Sequence, residues 1–549
     1  MLAEGPIILR DVTKQSGVSF RHTDGGGGQY YIVETVASGL ATFDYDGDGL
    51  IDIYFLNGRP LRGTKSPGPP PTNRLYRNLG GFRFVDVTDK AGVGDAGFGL
   101  GVAVGDYDND GLPDIYVNNY GPNVLYRNNG NGTFTDVTKM AGVGRGDRVG
   151  AGANFLDIDA DGDLDLFVAN YIVFTYENHV ATIVRGAPFY SGPLSFPKQP
   201  NQLFRNNGDG TFSEISAESG IAAHAGTGMG TIALDYDNDG RTDIFVCNDE
   251  YWSFLFRNEG AGRFREVALA AGVSANFAGE PVAGMGVDAA DYDHDGRLDL
   301  FMTDYQRQNP ILFKNLGSGM FEDVTMQAGA AAGSFPYIKW GCGFVDFDND
   351  GHPDLFIGCG HLGEFGRKMD LALFREADEV PPVLLRNTGD GKFVNVSDSS
   401  GDGMRVKLVA RGIAFDDLDN DGRVDVVILN SRRPPTLLRN ESATGNHWVE
   451  IRLRGVKTNR DGVGAHVKVV AGDLAQTAEV HSGRGYQSHY GSRLHFGLGK
   501  RDHIHRIEVR WIGGGVDVLE DVAVDRLLMI TEGTSPRAEA GGRLPATAR

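Results

Sequence analysis

Short apolar or alternating segments recur along the chain, each broken by turn-forming residues, and they predict strands rather than helices. The clearest unit reads LYRNNGNGTFTDVTKMAGVG over 125–144 and then GAGANFLDIDADGDLDLFVAN over 150–170. Its loop, DxDxDGxxD, recurs at 44–52, 106–114, 157–165, 235–243, 291–299, 346–354 and 417–425. One strand enters each loop, as GLATF does before Asp44, and another leaves it, as in IDIYFLN. A second marker, L-[YFL]-[RK]-N, contains Leu75, Leu125, Leu203, Leu255, Leu312, Leu385 and Leu438 in turn. A turn follows it, then a strand of the FTDVT or FREVA kind. Loop starts are 51 to 78 residues apart, so a common unit with insertions repeats seven times.

Four strands per unit, repeated seven times, predict an all-β, seven-bladed β-propeller with calcium-binding hairpin loops. The chain ends support closure. Residues 8–13, ILRDVT, read as an outer strand with no unit before them, and the seventh unit stops at LLRN (437–440) without its own outer strand. The orphan at one end supplies what the other lacks, whereas a solenoid needs two separate caps. The propeller is expected over 7–440. Composition then changes: 446–532 alternates strands with Gly/Asn/Asp turns and predicts a small β-sandwich-like domain, with Trp448, Val467, Val469, Phe496, Val509 and Trp511 as apolar positions. Residues 533–549 are expected to be disordered.

The loops carry the chemistry. Carboxylates at positions 1, 3 and 5 converge when the chain turns sharply at the position-6 glycine. Position 7 offers its backbone carbonyl and position 9 closes the shell. The predicted ligands are Asp44, Asp46, Asp48, Leu50 and Asp52 in the first loop, then Asp106, Asp108, Asp110, Leu112 and Asp114. Next come Asp157, Asp159, Asp161, Asp163 and Asp165, then Asp235, Asp237, Asp239, Arg241 and Asp243. The last three sets are Asp291, Asp293, Asp295, Arg297 and Asp299; Asp346, Asp348, Asp350, His352 and Asp354; and Asp417, Asp419, Asp421, Arg423 and Asp425. Hard oxygen donors without Cys or His side chains among the carboxylate ligands select Ca2+, with about seven sites. An EF-hand needs Glu at position 12 and flanking helices. Here position 12 is Phe55, Val117, Val168, Val246, Met302, Ile357 or Ile428, all apolar and within strands.

The loops also explain the charge. Formal net charge is −21, and outside the 28 ligand-position Asp the chain has 45 acidic and 52 basic residues. Seven Ca2+ would bring the total to −7. That acidity argues against nucleic-acid binding by a general electrostatic footprint. No run of 18 apolar residues predicts a transmembrane helix. The opening MLAEGPIILRDVT has no basic segment followed by an apolar one, so either a signal peptide has been removed or the protein is not exported. Three cysteines, Cys247, Cys342 and Cys359, contain no CxxC pair. Cys342 and Cys359 flank one loop, which leaves a cross-strand disulfide and two buried thiols as alternatives.

GLATFDYDGDGLIDIYFLNG (39–58), AGEPVAGMGVDAADYDHDGRLDL (278–300), WGCGFVDFDNDGHPDLFIGCGH (340–361), TNRDGVGAHVKV (458–469) and LHFGLG (494–499) together resemble the cartilage acidic protein, or ASPIC/UnbV, family. The resemblance covers nearly the whole chain. It implies an integrin-α-like propeller of FG-GAP/VCBS repeats with calcium in the strand-connecting loops, and export to the periplasm or cell exterior. It fixes no activity. Family members often carry Cys-Gly-Pro in the third-blade insertion, where this chain has Ser191-Gly192-Pro193.

The family pattern also includes His22, Glu34, Glu280, Trp340, His361 and Arg411. Of these, Glu34, Glu280, His361 and Arg411 are the candidates for a polar site at a channel mouth, able to do acid–base work or clamp an anion. Against that stand ordinary roles in turns and ion pairs. The insertion 171–200, with Tyr171, Phe174, Tyr176, Phe189, Tyr190 and Phe196, is either a binding surface or a self-packed cover. Gly-rich GRGYQ (483–487) and TDGGGGQ (23–29) read as loops, since no helix pattern follows them. The expected function is a monomeric extracellular or periplasmic scaffold for a protein or glycan partner, with calcium mainly structural, and a hydrolase, lyase or cyclase is the alternative.

Overall fold

The computed structural model describes residues 6–65, 68–184, 186–362 and 379–534. Most of the insertion after His361 and the tail from 535 lie outside them.

Each repeat forms a four-stranded antiparallel sheet. In unit 1 the strands are Leu40–Phe43, Asp52–Phe55, Arg74–Asn78 and Phe84–Asp86, in that spatial order. In unit 7, Ala410–Asp416, Asp425–Asn430 and Thr436–Asn440 are completed by Leu9–Asp11, with Leu9 opposite Asn440. The first strand of each unit packs against that of the next, and unit 7 packs against unit 1. After the fourth strand, units 1, 2, 4 and 5 add one helical turn absent from the sequence reading. Each turn ends on a left-handed glycine such as Gly92, at φ 76°.

The asparagine of the L-[YFL]-[RK]-N marker joins neighbouring units. Asn128 Nδ2 donates to the Pro113 carbonyl of its own unit and to the Tyr45 carbonyl of the one before. The same side chain does this in every unit, and Asn78 of unit 1 reaches the Leu418 carbonyl of unit 7 at 2.7 Å. Replacing Asn387 by Ala strands the Tyr292 and Pro353 carbonyls that it now satisfies. We expect a loss of about 2–3 kcal/mol in urea unfolding; a loss below about 0.5 kcal/mol would remove the asparagine as a joint.

At the centre only glycine fits. A Cβ on Gly101 would lie 1.9 Å from the Ala151 carbonyl oxygen, on Gly230 2.5 Å from that of Met285, and on Gly286 2.5 Å from that of Trp340. A Cβ on Gly152, Gly341 or Gly412 would meet backbone of the next unit at 3.0, 2.9 and 2.8 Å, and one on Gly39 the Gln487 carbonyl at 1.6 Å. The first strands therefore approach at backbone distance.

Residues 447–531 form two further sheets. One orders Leu494–Gly499, His447–Arg454 and Arg526–Thr531; the other orders Leu474–Glu479, His466–Ala471, His503–Arg510 and Val516–Ala523. Val467, Val469, Phe496, Val509 and Trp511 are buried as expected. Trp448 is instead half-buried and lies over Gly422 of the seventh Asp loop.

Between these sheets, residues 481–491 run through the middle of the seven units as a plug. The His489 and Leu40 backbones pair in unit 1, and Val102 N–H donates to the Gln487 carbonyl in unit 2. Asn154 Nδ2 donates to the Gly483 carbonyl at 2.6 Å in unit 3, and His481 Nδ1 to the Ala233 carbonyl at 2.8 Å in unit 4. Gly485 exchanges both backbone bonds with Val287 of unit 5. Tyr490 Oη donates to the Cys342 carbonyl of unit 6, and Asp416 of unit 7 accepts the Gly491 amide. GRGYQ is a loop, as its sequence predicts, and it lies at the centre of the seven units.

His489 Nδ1 accepts the Gly483 amide, which requires a neutral ring. Burial, then the charge of Arg484, holds its pKa down to about 3. The unfolded value is about 6.5, so this ring's contribution is complete above that pH and is lost as pH falls towards 3. The stability difference between wild type and His489→Asn should therefore fall by about 1.4 kcal/mol per pH unit between roughly pH 6 and 4. A difference independent of pH in urea titrations would contradict a buried neutral ring.

Candidate functional site

The Asp loops all join first to second strands, so they gather on one face. Unit 2 illustrates their construction. Asp106 Oδ1 accepts the Asp110 amide and its Oδ2 the Gly111 amide, at 3.0 and 2.6 Å. Asp110 Oδ1 accepts the Leu112 amide. Asp114 takes the Asn128 and Tyr107 amides on its two oxygens. Position 4 is left-handed in all seven loops, as Gly47, Asn109, Ala160, Asn238, His294, Asn349 and Asn420. Asn and Gly enter that region most easily, which explains their frequency there.

This winding brings ligand oxygens of Asp44, Asp46 and Asp48 within 4.8 Å of one another. The same holds for Asp106, Asp108 and Asp114, for Asp157, Asp159 and Asp165, for Asp235, Asp237 and Asp239, and for Asp291, Asp293 and Asp295. Several of these oxygens make no hydrogen bond: Oδ1 of the position-3 residues Asp46, Asp108, Asp237, Asp293 and Asp419, and Oδ1 of buried Asp157 and Asp291. Oδ2 of buried Asp243 and Asp299 is likewise unpartnered. Burial pushes Asp52 up to about 8 and Asp106, Asp157, Asp291 and Asp417 up to about 7. Crowded, partly desolvated carboxylates with unpartnered oxygens fit a hard divalent cation.

The 447–531 sheets sit on this face. Asp461 Oδ2 accepts the Asp106 amide at 2.7 Å and Glu479 Oε2 the Asp235 amide at 3.1 Å. Arg493 Nη1 donates to Asn420 Oδ1, and His495 Nε2 meets Asn349 Oδ1, both at 2.7 Å.

Two of the polar candidates, Glu34 and Arg411, lie at the ends of first strands away from the Asp loops. Glu34 is buried at the end of a 3-10 turn, where Oε1 accepts the Tyr31 amide and Oε2 the Tyr190 hydroxyl at 3.0 Å. Burial raises its pKa to about 7. Arg411, 2% exposed, stacks 3.9 Å over Trp340 and donates to the Thr35 and Ala410 carbonyls. Arg411 and Arg432 both act on His22 and Asp24, and Asp24 pairs with Arg432 at 3.4 Å. Glu280 lies elsewhere, exposed, with its amide and carbonyl both bonded to Asn276. His361 is buried beside Tyr337. The structure thus joins Glu34 and Arg411 through Asp24 and Arg432, and leaves Glu280 out. Asp24, Arg432 and Asp249, which accepts the Tyr171 hydroxyl at 2.7 Å, carry no sequence signal, and Tyr171 and Tyr190 were singled out only within the aromatic insertion.

The aromatic insertion is a packed cover. Tyr171, Phe174 and Phe196 are buried, and Phe174 and Tyr176 meet Tyr31 edge-on. Cys247, Cys342 and Cys359 are buried free thiols. Cys342 faces Ile357 and Cys359 faces Lys339, so the two lie out of register for a disulfide. Among the described residues, no helix is long and apolar enough to cross a membrane.

These features define an all-β repeat protein with an Asp loop in every repeat. The FG-GAP-like repeat profile matches residues 44–117, 106–168, 194–246, 235–302 and 291–357, and the ASPIC and UnbV profile matches 455–537. The chain belongs to this FG-GAP, ASPIC/UnbV family. It is 26% identical to human cartilage acidic protein 1 over 344 residues, 59% of this chain and 47% of that one. To the Xenopus tropicalis protein of that name it is 26% identical over 55% of this chain and 44% of that one. The chain thus spans about half the length of these curated relatives. An Agrocybe aegerita lection structure, described as recognising non-reducing terminal N-acetylglucosamine, matches with TM-score 0.36 and 20% identity, over 65% of this chain and 79% of that one.

Proposed function

We propose that the chain is a calcium-loaded, seven-bladed β-propeller over 7–440, plugged and capped by a β-sandwich-like domain over 446–532, and that it serves as an extracellular or periplasmic binding scaffold. The observation that carries this reading is repetition with unpartnered oxygens: seven loops gather carboxylates on one face. Calcium at each loop supplies charge neutralisation. Backbone amides hold the ligand carboxylates at positions 1, 5 and 9 in place by donating hydrogen bonds to them. The cyclic asparagine bonds and the shared unit-7 sheet support closure.

The partner is a protein or glycan held on this rigid frame. A pull-down from extracellular matrix extract and a glycan array, each with 1 mM Ca2+ and with excess EDTA, test it. Calcium-dependent, saturable capture of one partner class is the expected result, and equal capture in EDTA would sink it. The enzyme reading rests on Glu34, bonded to Tyr190 beside Asp24, Arg432 and Arg411, as an acid–base group. It predicts a turnover that Glu34→Gln abolishes with the fold intact; a wild type inert towards glycosidic and ester substrates ends that reading.

A further inference from the structure

The seven Asp loops share a backbone but differ in the cations that touch them. In five units the basic residue of the L-[YFL]-[RK]-N marker spans the position-3 and position-5 carboxylates. Arg77 reaches Asp46 at 2.6 Å and Asp48 at 2.8 Å, and Arg257 reaches Asp237 at 2.8 Å and Asp239 at 3.2 Å. Lys314, Arg386 and Arg439 do the same in units 5, 6 and 7. Arg205 of unit 3 only approaches Asp159, at 3.6 Å, and Arg127 of unit 2 acts on Asp108 from beyond ion-pair distance among the described residues.

Position 7 adds a second difference. It offers a backbone carbonyl whatever its side chain, so the side chain is free to vary in charge. In units 4, 5 and 7 it is Arg241, Arg297 and Arg423, each paired with its own position-5 Asp and donating from Nε to the marker-asparagine carbonyl. In units 1 and 2 it is Leu50 and Leu112, and in unit 3 it is a fifth carboxylate, Asp163.

The capping sheets leave this ranking in place. Asp461 adds negative charge beside Asp106 in unit 2, and Arg452 adds positive charge 3.7 Å from Asp44 in unit 1. At Asp235 the nearby Arg510 and Glu479 oppose each other. At Asp417, Glu450 is offset by Arg493 at 3.7 Å.

We propose that the seven loops bind Ca2+ with graded affinity, tightest in units 2 and 3 and weakest in units 4, 5 and 7, with the marker and position-7 cations setting the order. This rests on the calcium reading above. Ligand geometry is common to all seven, so charge decides: each unit of formal charge beside a divalent ion changes its affinity by about tenfold at low ionic strength. The basic side chains are partly exposed, and salt compresses the spread.

The test is a calcium titration of the full chain against a chromophoric chelator at low salt. Wild type should show two sites at least about tenfold tighter than the weakest three. The triple variant Arg241→Leu, Arg297→Leu, Arg423→Leu should bring the weak class about tenfold tighter. Asp163→Leu, which removes the fifth carboxylate of unit 3, should independently weaken one of the two tight sites by about tenfold, and circular dichroism checks both folds. Seven equivalent sites, or a weak class unmoved by the triple variant and a tight class unmoved by Asp163→Leu, overturn the grading while leaving calcium binding in place. No calcium bound at all overturns the calcium reading itself.

Discussion

Excess EDTA is expected to lower the melting temperature of the calcium-equilibrated protein by on the order of 15 °C. A site held at a hundredfold over its Kd adds about 2.7 kcal/mol to the folded state, and seven such sites add on the order of 19 kcal/mol. Unfolding entropy of about 2 cal/mol/K per residue converts that energy into a shift of this size for a chain of 549 residues. The direction follows from the loops, which hold carboxylates together at raised pKa with oxygens that no donor reaches. Each loop ties a first strand to a second, so its loss loosens the innermost hairpin of the unit. Calorimetry with calcium, with EDTA and after calcium is restored checks the prediction. A melting curve indifferent to EDTA would falsify the structural role of the ion.

Replacing Tyr486 by Ala is expected to cost about 3–5 kcal/mol, the usual range for emptying a large buried aromatic site. Tyr486 is fully buried at the tip of the plug, with its ring edge-on to Trp340 at 5.1 Å and its hydroxyl donating to the Val36 carbonyl at 3.1 Å. Arg411 stacks on Trp340 and its charge reaches Tyr486, so the cavity opens beside a buried cation. Tyr486→Phe removes only the hydrogen bond and should cost about 1 kcal/mol. Urea unfolding of the two variants, followed by tryptophan fluorescence, separates packing from bonding. Near-wild-type stability for Tyr486→Ala would mean that the plug lies in the channel without supporting it.

The repeats were legible because their signals are local. A DxDxDG turn and a LYRN strand occupy a few consecutive residues, and seven copies make the pattern unmistakable. The physical reason for the marker asparagine was not legible, because its second acceptor lies in the preceding unit. The GxG of AGMGVD was readable only as a family trait, whereas the structure gives its cause: Gly286 faces the Trp340 carbonyl, 54 residues further on. The plug left no local trace, since the segment 481–491 around GRGYQ finds its partners in seven units far away in sequence. Among the polar candidates, Glu34 and Arg411 come near each other in the structure, whereas Glu280 sits in an exposed turn with Asn276. Tyr190, Asp24 and Arg432 were missed as a set because an insertion, an N-terminal loop and unit 7 meet only in three dimensions.

The strand Leu9–Asp11 has an implication for synthesis. It leaves the ribosome first among the described strands, yet its partner Thr436–Asn440 comes near the end of the repeats, and the plug later still. At 5–20 residues per second this first strand waits on the order of a minute with a bare hydrogen-bonding edge. Early units therefore stack while their central faces remain open to solvent and to neighbouring chains. A nascent polypeptide of this design needs a holding chaperone during that interval, and truncation just before residue 436 should yield aggregates rather than a shorter soluble protein.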